Sequence, residues 1–242
     1  MGPLSISIDP SNLRNTLLMG LSADAFARIA PQLERRSLEL GEVLQAPGAP
    51  VTHVYFPEPG VVSVVAHTAS QRLEAGVVGP EGMTGVCVLF GVDRSPDEVV
   101  VQIPCRALCL PAGAFRNALR GDRALHDHLL RFAYVFGVQV GQTALANGRA
   151  TIDERLARWL LMWHDRCDRE DLPLTHDFLS LMLGVRRAGV STALASLTAA
   201  GAIGAGRGSI RIRDRAILSE AAGDIYGVPE AEYARVMDGP RT

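Results

Sequence analysis

The chain has 242 residues, 48% of them hydrophobic and 21% charged, with a formal net charge of −2. This length allows one large domain or two modest ones with proper cores, and the composition excludes an intrinsically disordered chain. The small net charge excludes a uniformly basic surface, so a face that binds a polyanion must be local. The N-terminus lacks the pattern of a secretory signal, and no apolar stretch reaches the roughly 18 residues of a membrane span. We therefore expect a cytoplasmic protein that does not bind membranes.

The first part of the chain predicts short helices and then strands. Residues 13–37 read as helical segments whose apolar set is Leu17, Leu18, Leu21, Phe26, Ile29 and Leu33. Residues 38–112 contain the β-rich stretches THVYF, VVSVVA, LEAGVV and EVVVQI, which are separated by turn sequences such as PGAP, PEPG and GPEG. Turns at this spacing between β-branched stretches predict an antiparallel sandwich or barrel.

The middle of the chain predicts a long amphipathic helix that begins near Asp122. Its apolar positions recur every three or four residues at Leu125, Leu129, Phe132, Phe136 and Val140. Such a helix can cover the β domain, pair with its twin from a second copy, or pack only within its own chain. Because Gly137 and Gly141 would let two backbones come close, we predict that this apolar set forms a dimer contact.

The next helix has a sequence-encoded start. In TIDERLARWLLMWHDRC, Thr151 and Glu154 have the spacing of a capping box. The predicted buried stripe is Leu156, Trp159, Leu160 and Trp163. The helix is broken by DREDLPL, because Pro173 cannot continue it.

The stretch LTHDFLSLMLGVRRAGVSTALASL predicts two helices around a tight turn. Thr175 caps the first helix, Gly184 ends it, and the second runs from about Arg186 to Ala199. Its outward face carries Arg187, Ser191 and Thr192. Two short helices joined in this way are a helix-turn-helix.

The stretch AAGAIGAGRGSIRIRDR then predicts a β-hairpin wing with Arg207 near its tip. The stretch from Leu172 to Arg215 contains six arginines and two aspartates, a local excess of four positive charges. Such an excess suits a DNA phosphate backbone. At the start of a recognition helix, one of Arg186 and Arg187 can read guanine while the other holds a phosphate. The predicted DNA contacts are Thr175, Arg186, Arg187, Ser191, Thr192, Arg207 and Arg211.

Over nearly its whole length the chain resembles the Crp/Fnr family of bacterial transcription regulators. The resemblance implies an α+β fold with an N-terminal antiparallel β-roll of the cyclic-nucleotide-binding type, a long dimerisation helix and a C-terminal winged helix-turn-helix. We expect the β-roll sensor with its flanking helices at 13–121, the dimerisation helix at 122–150, the winged helix at 151–220 and a C-terminal tail at 221–242. The arginine with which the family contacts a base falls on Arg187. The glutamate that follows it there is Ala188 here, and a second family arginine falls near Thr192, so the base preference does not carry over.

The effector site of the family is only partly present. In VVGPEGMTGVCVLFGVDRSPDEVVVQI the family's glycine matches Gly85, but its glutamate is replaced by Val86, which cannot accept a ribose hydrogen bond. The phosphate-binding Arg-Ser pair corresponds to Arg94 and Ser95 after a one-residue shift. With Gly82 these residues make up the predicted effector pocket, and we expect that it does not bind cyclic AMP.

No metal or other cofactor is predicted. No cysteine precedes Cys87, so the N-terminal iron–sulfur motif of the oxygen-sensing branch is absent. The cysteines form no CxxC pair and are expected to be reduced thiols. His53 and His67 are isolated in the β region, which lacks the His, His and Glu ligand set of a cupin-type metal enzyme.

The leading hypothesis is a homodimeric, sequence-specific transcription regulator of unknown effector, and not an enzyme. Its expected partners are double-stranded DNA with an inverted repeat, a second copy of itself, a small-molecule effector and RNA polymerase. Two alternatives stay open: a regulator that needs no effector, and a protein-interaction module built on the same fold.

Overall fold

A computed structural model of the protein describes residues 10–206 and 208–238. Helices α1 (Thr16–Met19) and α2 (Ala23–Ile29) come first, and the side chains of Asn15 and Ser22 cap them. Strand β1 (Glu34–Leu38) follows, so the prediction of helix up to residue 37 was wrong there. Four of its five residues are exposed, and it therefore lacks the alternation that identifies a strand. The strand forms because it pairs with a strand that is distant in the sequence, at residues 105–111.

The predicted antiparallel β-roll is confirmed. Its further strands are β2 (Val43–Gln45), β3 (His53–Pro57), β4 (Val61–His67), β5 (Arg72–Val78), β6 (Glu98–Ile103) and β7 (Cys105–Pro111). They form two antiparallel sheets, ordered β1-β7-β3 and β2-β6-β4-β5. One core cluster draws on both sheets and contains Leu38, Tyr55, Val62, Val99, Val101, Ala107 and Cys109. All four cysteines are free thiols.

Helix α3 (Ala112–Gly121) leads into the long helix α4 (Arg123–Arg149). The carboxylate of Asp122 caps α4 by accepting a hydrogen bond from the backbone of Leu125 at 3.0 Å. One side of α4 packs with α1, α2 and α3 into a second core cluster that covers the β-roll. The long helix thus lies where the sequence predicts it.

The C-terminal part is a winged helix. Its elements are α5 (Ile152–His164), β8 (Asp171–Leu172), α6 (His176–Leu183), α7 (Arg187–Ala199), β9 (Ile203–Gly206), β10 (Ser209–Ile212) and α8 (Arg215–Ala222). The capping box of Thr151 and Glu154 is present, and α5 ends three residues before Cys167, where the quoted helical stretch ends. The strands form a small sheet in the order β8-β10-β9. Part of the predicted tail folds into helix α9 (Val228–Tyr233) and a π-helical turn (Ala234–Asp238), both against α4.

The winged helix packs directly on the β-roll. Val61, Val77 and Ile103 of the β-roll belong to the same core cluster as the tryptophans of α5. At this boundary the indole Nε1 of Trp159 donates to Oε1 of the buried Glu74 at 2.6 Å. The two parts therefore share a continuous core.

Across the described ranges, none of the single helices has the length and hydropathy of a membrane span. Helices α6 and α7 reach that composition only as a pair, and the chain bends by 107° between them.

Candidate nucleic-acid interface and effector pocket

The turn between α6 and α7 has the geometry that the sequence predicts. The hydroxyl of Thr175 accepts a hydrogen bond from the backbone of Phe178 at 3.2 Å and so caps α6. Gly184 ends α6 with a φ of 62°, and a Cβ there would lie 2.8 Å from Cδ1 of Leu73. Both the left-handed backbone and the close approach to β5 favour glycine. The bend of 107° between α6 and α7 lies in the range of helix-turn-helix motifs.

Arg186 and Arg187 lie at the exposed start of α7. Arg186 occupies the N-cap position, and Arg187 is the first residue of the helix. The Nε of Arg187 lies 2.8 Å from Oδ1 of Asp177, and the two side chains are 65% and 80% exposed. Arg186 makes no ion pair with any residue that the structure describes. The helix start therefore presents two guanidinium groups to solvent.

Ser191 and Thr192 lie one turn further along α7. Their hydroxyls donate to the carbonyls of Arg187 and Ala188, each at 3.1 Å. Ser191 also lies 3.0 Å from Nδ1 of His176, so it links α7 to α6. Thr192 is exposed, whereas Ser191 is half-buried. A DNA contact at Thr192 is the more accessible of the two.

The wing does not present all of its arginines freely. Arg207 lies outside the described residues. The Nε of Arg211 donates to Oδ1 of Asp171 at 2.7 Å, so this guanidinium lies in an exposed ion pair, and a DNA contact at Arg211 stays a prediction. Asp171 lies directly opposite Arg211 in the pairing of β8 with β10, just outside the stretch used to count charges. Arg215 is likewise paired, with Asp165.

The sequence prediction did not single out Arg213 as a DNA contact. Its guanidinium lies against β9, where a Cβ at Gly204 would come within 2.7 Å of its Nε. Among residues 10–206 and 208–238 it has no ion-pair partner. Arg213 directly follows β10, and the excess of arginines in this stretch is the signal that could have identified it.

The residues predicted for the effector pocket have structural partners within the chain. Gly85 has a φ of 73° and starts a short 3₁₀ turn in which Val86 packs against the core. A Cβ at Gly82 would lie 2.5 Å from the ring of Phe132 on α4, so Gly82 permits close packing there.

Arg94 and Ser95, the predicted phosphate-binding pair, also form hydrogen bonds within the chain. Nη1 of Arg94 donates to the carbonyl of Gly48 at 3.0 Å. The hydroxyl of Ser95 donates to Oδ2 of Asp97 at 3.1 Å. A phosphate at Ser95 would therefore meet a carboxylate, which opposes its binding.

The predicted dimer residues of α4 lie mainly inside the chain. Leu125, Leu129 and Phe132 are at most 3% exposed and pack against their own β-roll, so their assignment to a dimer contact was wrong. Phe136 and Val140 are partly buried on the same helix. The sequence pattern identified the face that covers the β domain.

A second stripe of α4 faces outward. Its positions alternate in steps of four and three: the half-buried Leu130, which also packs against the second core cluster, and the exposed Tyr134, Gly137, Gly141, Ala144 and Gly148. Tyr134 is 54% exposed, and a Cβ added at Gly137, Gly141 or Gly148 would meet no atom within 4 Å. This spacing is that of a helix–helix seam. We call this set the outer stripe.

Comparisons with known proteins agree with this architecture. The family model of the cyclic nucleotide-binding domain matches residues 35–122, and that of the Crp-like helix-turn-helix domain matches residues 154–221. The chain belongs to the Crp/Fnr family of transcription regulators. Members of this family are DNA-binding regulators and not enzymes, so the predicted regulatory function is confirmed.

Solved structures of Crp/Fnr regulators share the fold. TTHA1359, a CRP/FNR-family transcriptional regulator from Thermus thermophilus, is 25% identical with a TM-score of 0.64, covering 78% of this chain and 98% of its own. FixK2 from Bradyrhizobium japonicum is 21% identical with a TM-score of 0.65, covering 77% and 95%. The c-di-GMP-responsive regulator CLP of Xanthomonas campestris is 19% identical with a TM-score of 0.59, covering 80% and 100%. No curated protein sequence matches the chain.

Proposed function

We propose that this Crp/Fnr regulator binds an inverted repeat in double-stranded DNA as a homodimer, with α7 of each copy in a major groove. The observation that carries the proposal is the pair of guanidinium groups at the exposed start of α7. Helix N-terminal residues of a helix-turn-helix contact base edges, and an arginine there can bind guanine O6 and N7. Arg187 is the base-reading residue, and Arg186 and Arg213 bind phosphates.

The outer stripe of α4 supports the homodimer. A single winged helix reads only a few base pairs, whereas two copies at a fixed separation can enter successive major grooves about 34 Å apart. The three glycines of the stripe allow two helix backbones to approach closely. Each glycine also lowers helix stability by about 1 kcal/mol, a cost that a helix face exposed only to water has no need to accept.

We also propose that cyclic AMP is not the effector of this regulator. Val86 offers no acceptor for a ribose hydroxyl. The hydroxyl of Ser95 already donates a hydrogen bond to the carboxylate of Asp97. Contact with RNA polymerase and a cytoplasmic location are further proposals that rest on family membership. Regulation without any effector is compatible with the shared core of the β-roll and the winged helix.

Selection of bound fragments from a pool of random DNA tests the proposal. The purified full chain should enrich an inverted repeat whose half-sites are one helical turn apart, centre to centre, and binding should weaken steeply as salt rises. Enrichment of a single half-site without a repeat would contradict the dimer. The absence of any enriched sequence would contradict base reading by α7.

A further inference from the structure

A cavity of about 200 Å³ lies where α4, the end of α5 and α9 meet. None of the residues predicted for the effector pocket (Gly82, Gly85, Val86, Arg94 and Ser95) lines it. Its walls include the rings of Phe132 and Phe136, whose centroids are 6.2 Å apart, and the ring of Tyr233. An apolar cavity of about 150 Å³ is enough to bind benzene, so this one accommodates a single substituted aromatic ring.

One end of the cavity is polar and carries buried charge. The side chain of Arg166 is 8% exposed, and its Nε donates to Oε1 of Glu81 at 2.7 Å. Asp165 and Glu230 also line the cavity. Burial lowers the pKa of Arg166, but the carboxylates of Glu81, Glu230 and Asp165 outweigh burial and leave that pKa raised. The polar end thus has three carboxylates around one guanidinium.

Pairing within the chain leaves one of these carboxylates in excess. Glu81 is paired with Arg166, and Asp165 is paired with Arg215 outside the cavity. Glu230 accepts a hydrogen bond from the backbone of Gly227 at 3.1 Å, and within the described part of the chain it forms no ion pair. Arg158 does not line the cavity, and its positive charge interacts with both Glu230 and Glu74.

We propose that this cavity binds a small aromatic ammonium ion. The aromatic walls take up the ring and attract a cation through their faces, and the carboxylate of Glu230 binds the ammonium group. A carboxylate ligand is disfavoured, since it would add a fourth anion beside one guanidinium. Because the walls come from the long helix, the winged helix and the C-terminal helix, a bound ligand would tie these three parts together.

Calorimetric titration of the full chain without DNA tests the site. Three ligands of similar shape are used at neutral pH: benzylamine, benzyl alcohol and benzoate. The amine should bind at one saturable site, the alcohol about tenfold more weakly, and benzoate not at all. Equal binding of amine and alcohol, no saturable binding of the amine, or preferred binding of benzoate would each overturn the proposal.

Two variants with the same charge change locate the site. Glu230→Gln keeps the shape of the side chain and should reduce amine binding to the level of the alcohol, while alcohol binding stays as in the wild type. Glu220→Gln on α8, which is exposed and outside the cavity, should leave all three ligands unaffected. Unchanged amine binding in Glu230→Gln, or equal weakening in both variants, would place the amine elsewhere. The wild-type ligand series decides the question even if Glu230→Gln is unstable.

Discussion

The guanidinium Nε of Arg187 lies 2.8 Å from Oδ1 of Asp177, so an exposed ion pair joins the two helices of the helix-turn-helix. Exposed pairs of this kind contribute only about 0–1 kcal/mol to stability. DNA can therefore displace Asp177 at little cost, and until then the pair holds the Arg187 side chain at the surface. This contact links the local fold of the motif to its recognition function.

Replacement of Arg187 by alanine should remove the reading of one base pair in each half-site. The expected loss on the preferred sequence is about 1–3 kcal/mol, because a bidentate contact with guanine is lost. Competition binding with site variants measures the effect and should show a flattened preference at one position. Uniform weakening on all sequences would mean that Arg187 contacts phosphate and that the assigned helix register is wrong.

Asp177→Asn is the matched control for Arg187→Ala. It removes the ion-pair partner but keeps the guanidinium, so base preference should be retained. Affinity for all sequences should rise modestly, since one negative charge near the phosphates is lost.

Substitution of Gly141 by glutamate should give monomers without damaging the monomer fold. A Cβ at this position meets no atom within 4 Å, and replacing a helical glycine improves helix propensity by a few tenths of a kcal/mol up to about 1 kcal/mol. Two glutamates facing each other in the seam would repel. Sedimentation velocity at micromolar concentration should show a dimer for the wild type and a monomer for the variant.

Gly113→Glu provides the control for this experiment. Gly113 is exposed on α3, and a Cβ there is equally free of contacts. This variant should remain dimeric. A wild-type chain that sediments as a monomer, or a dimeric Gly141→Glu variant, would exclude the outer stripe as the seam.

The two faces of α4 show what the sequence could and could not predict. Periodicity identified Leu125, Leu129 and Phe132 as an apolar face. It could not show whether that face contacts the chain's own β-roll or a second copy. The apolar face covers the β-roll, and the outward stripe has weak hydropathy because half of its positions are glycine. A seam built from small residues is visible only when the other face is known to be occupied.

Stability should fall as pH rises through the titration of Glu74. Burial raises the pKa of Glu74 to about 7, despite its hydrogen bonds with Ser63 and Trp159 and the positive charges of Arg158 and Arg166. The folded state then binds this proton more tightly than the unfolded state, whose value is near 4.5. The resulting stabilisation is complete below that value and is lost as pH rises through about 7.

Urea unfolding of the wild type and of Glu74→Gln measures this effect. The free energy of unfolding of the wild type, relative to the variant, should fall by roughly 2–3 kcal/mol between about pH 5 and pH 8. The comparison cancels the titration of groups that both proteins share, such as histidines. A difference that stays constant over this range would show that Glu74 keeps its charge inside the fold.

Cyclic AMP should neither bind nor change DNA affinity. Val86 cannot accept a hydrogen bond from ribose, and Asp97 would repel a phosphate at Ser95. Calorimetry with millimolar cyclic AMP should give no saturable heat. Micromolar binding would contradict this account of the β-roll.

Sequence analysis predicted the features that depend on neighbouring residues and missed those that depend on contacts between distant parts of the chain. Thr151, Thr175 and Gly184 were identified correctly because caps and left-handed turns depend on a few neighbouring residues. Strand β1 was missed because its exposed residues are held by pairing with β7. The ion pair of Arg211 with Asp171 was missed because strand register, and not sequence distance, brings the two together.

Hydroxyl-radical footprinting on the selected DNA tests most directly whether two copies act together. The wild type should protect two segments related by a twofold axis, with their centres about 34 Å apart along the helix axis. The Gly141→Glu variant should lose both segments at the same protein concentration. A single protected segment with the wild type, or the same two segments with the variant, would contradict a dimer joined along the outer stripe.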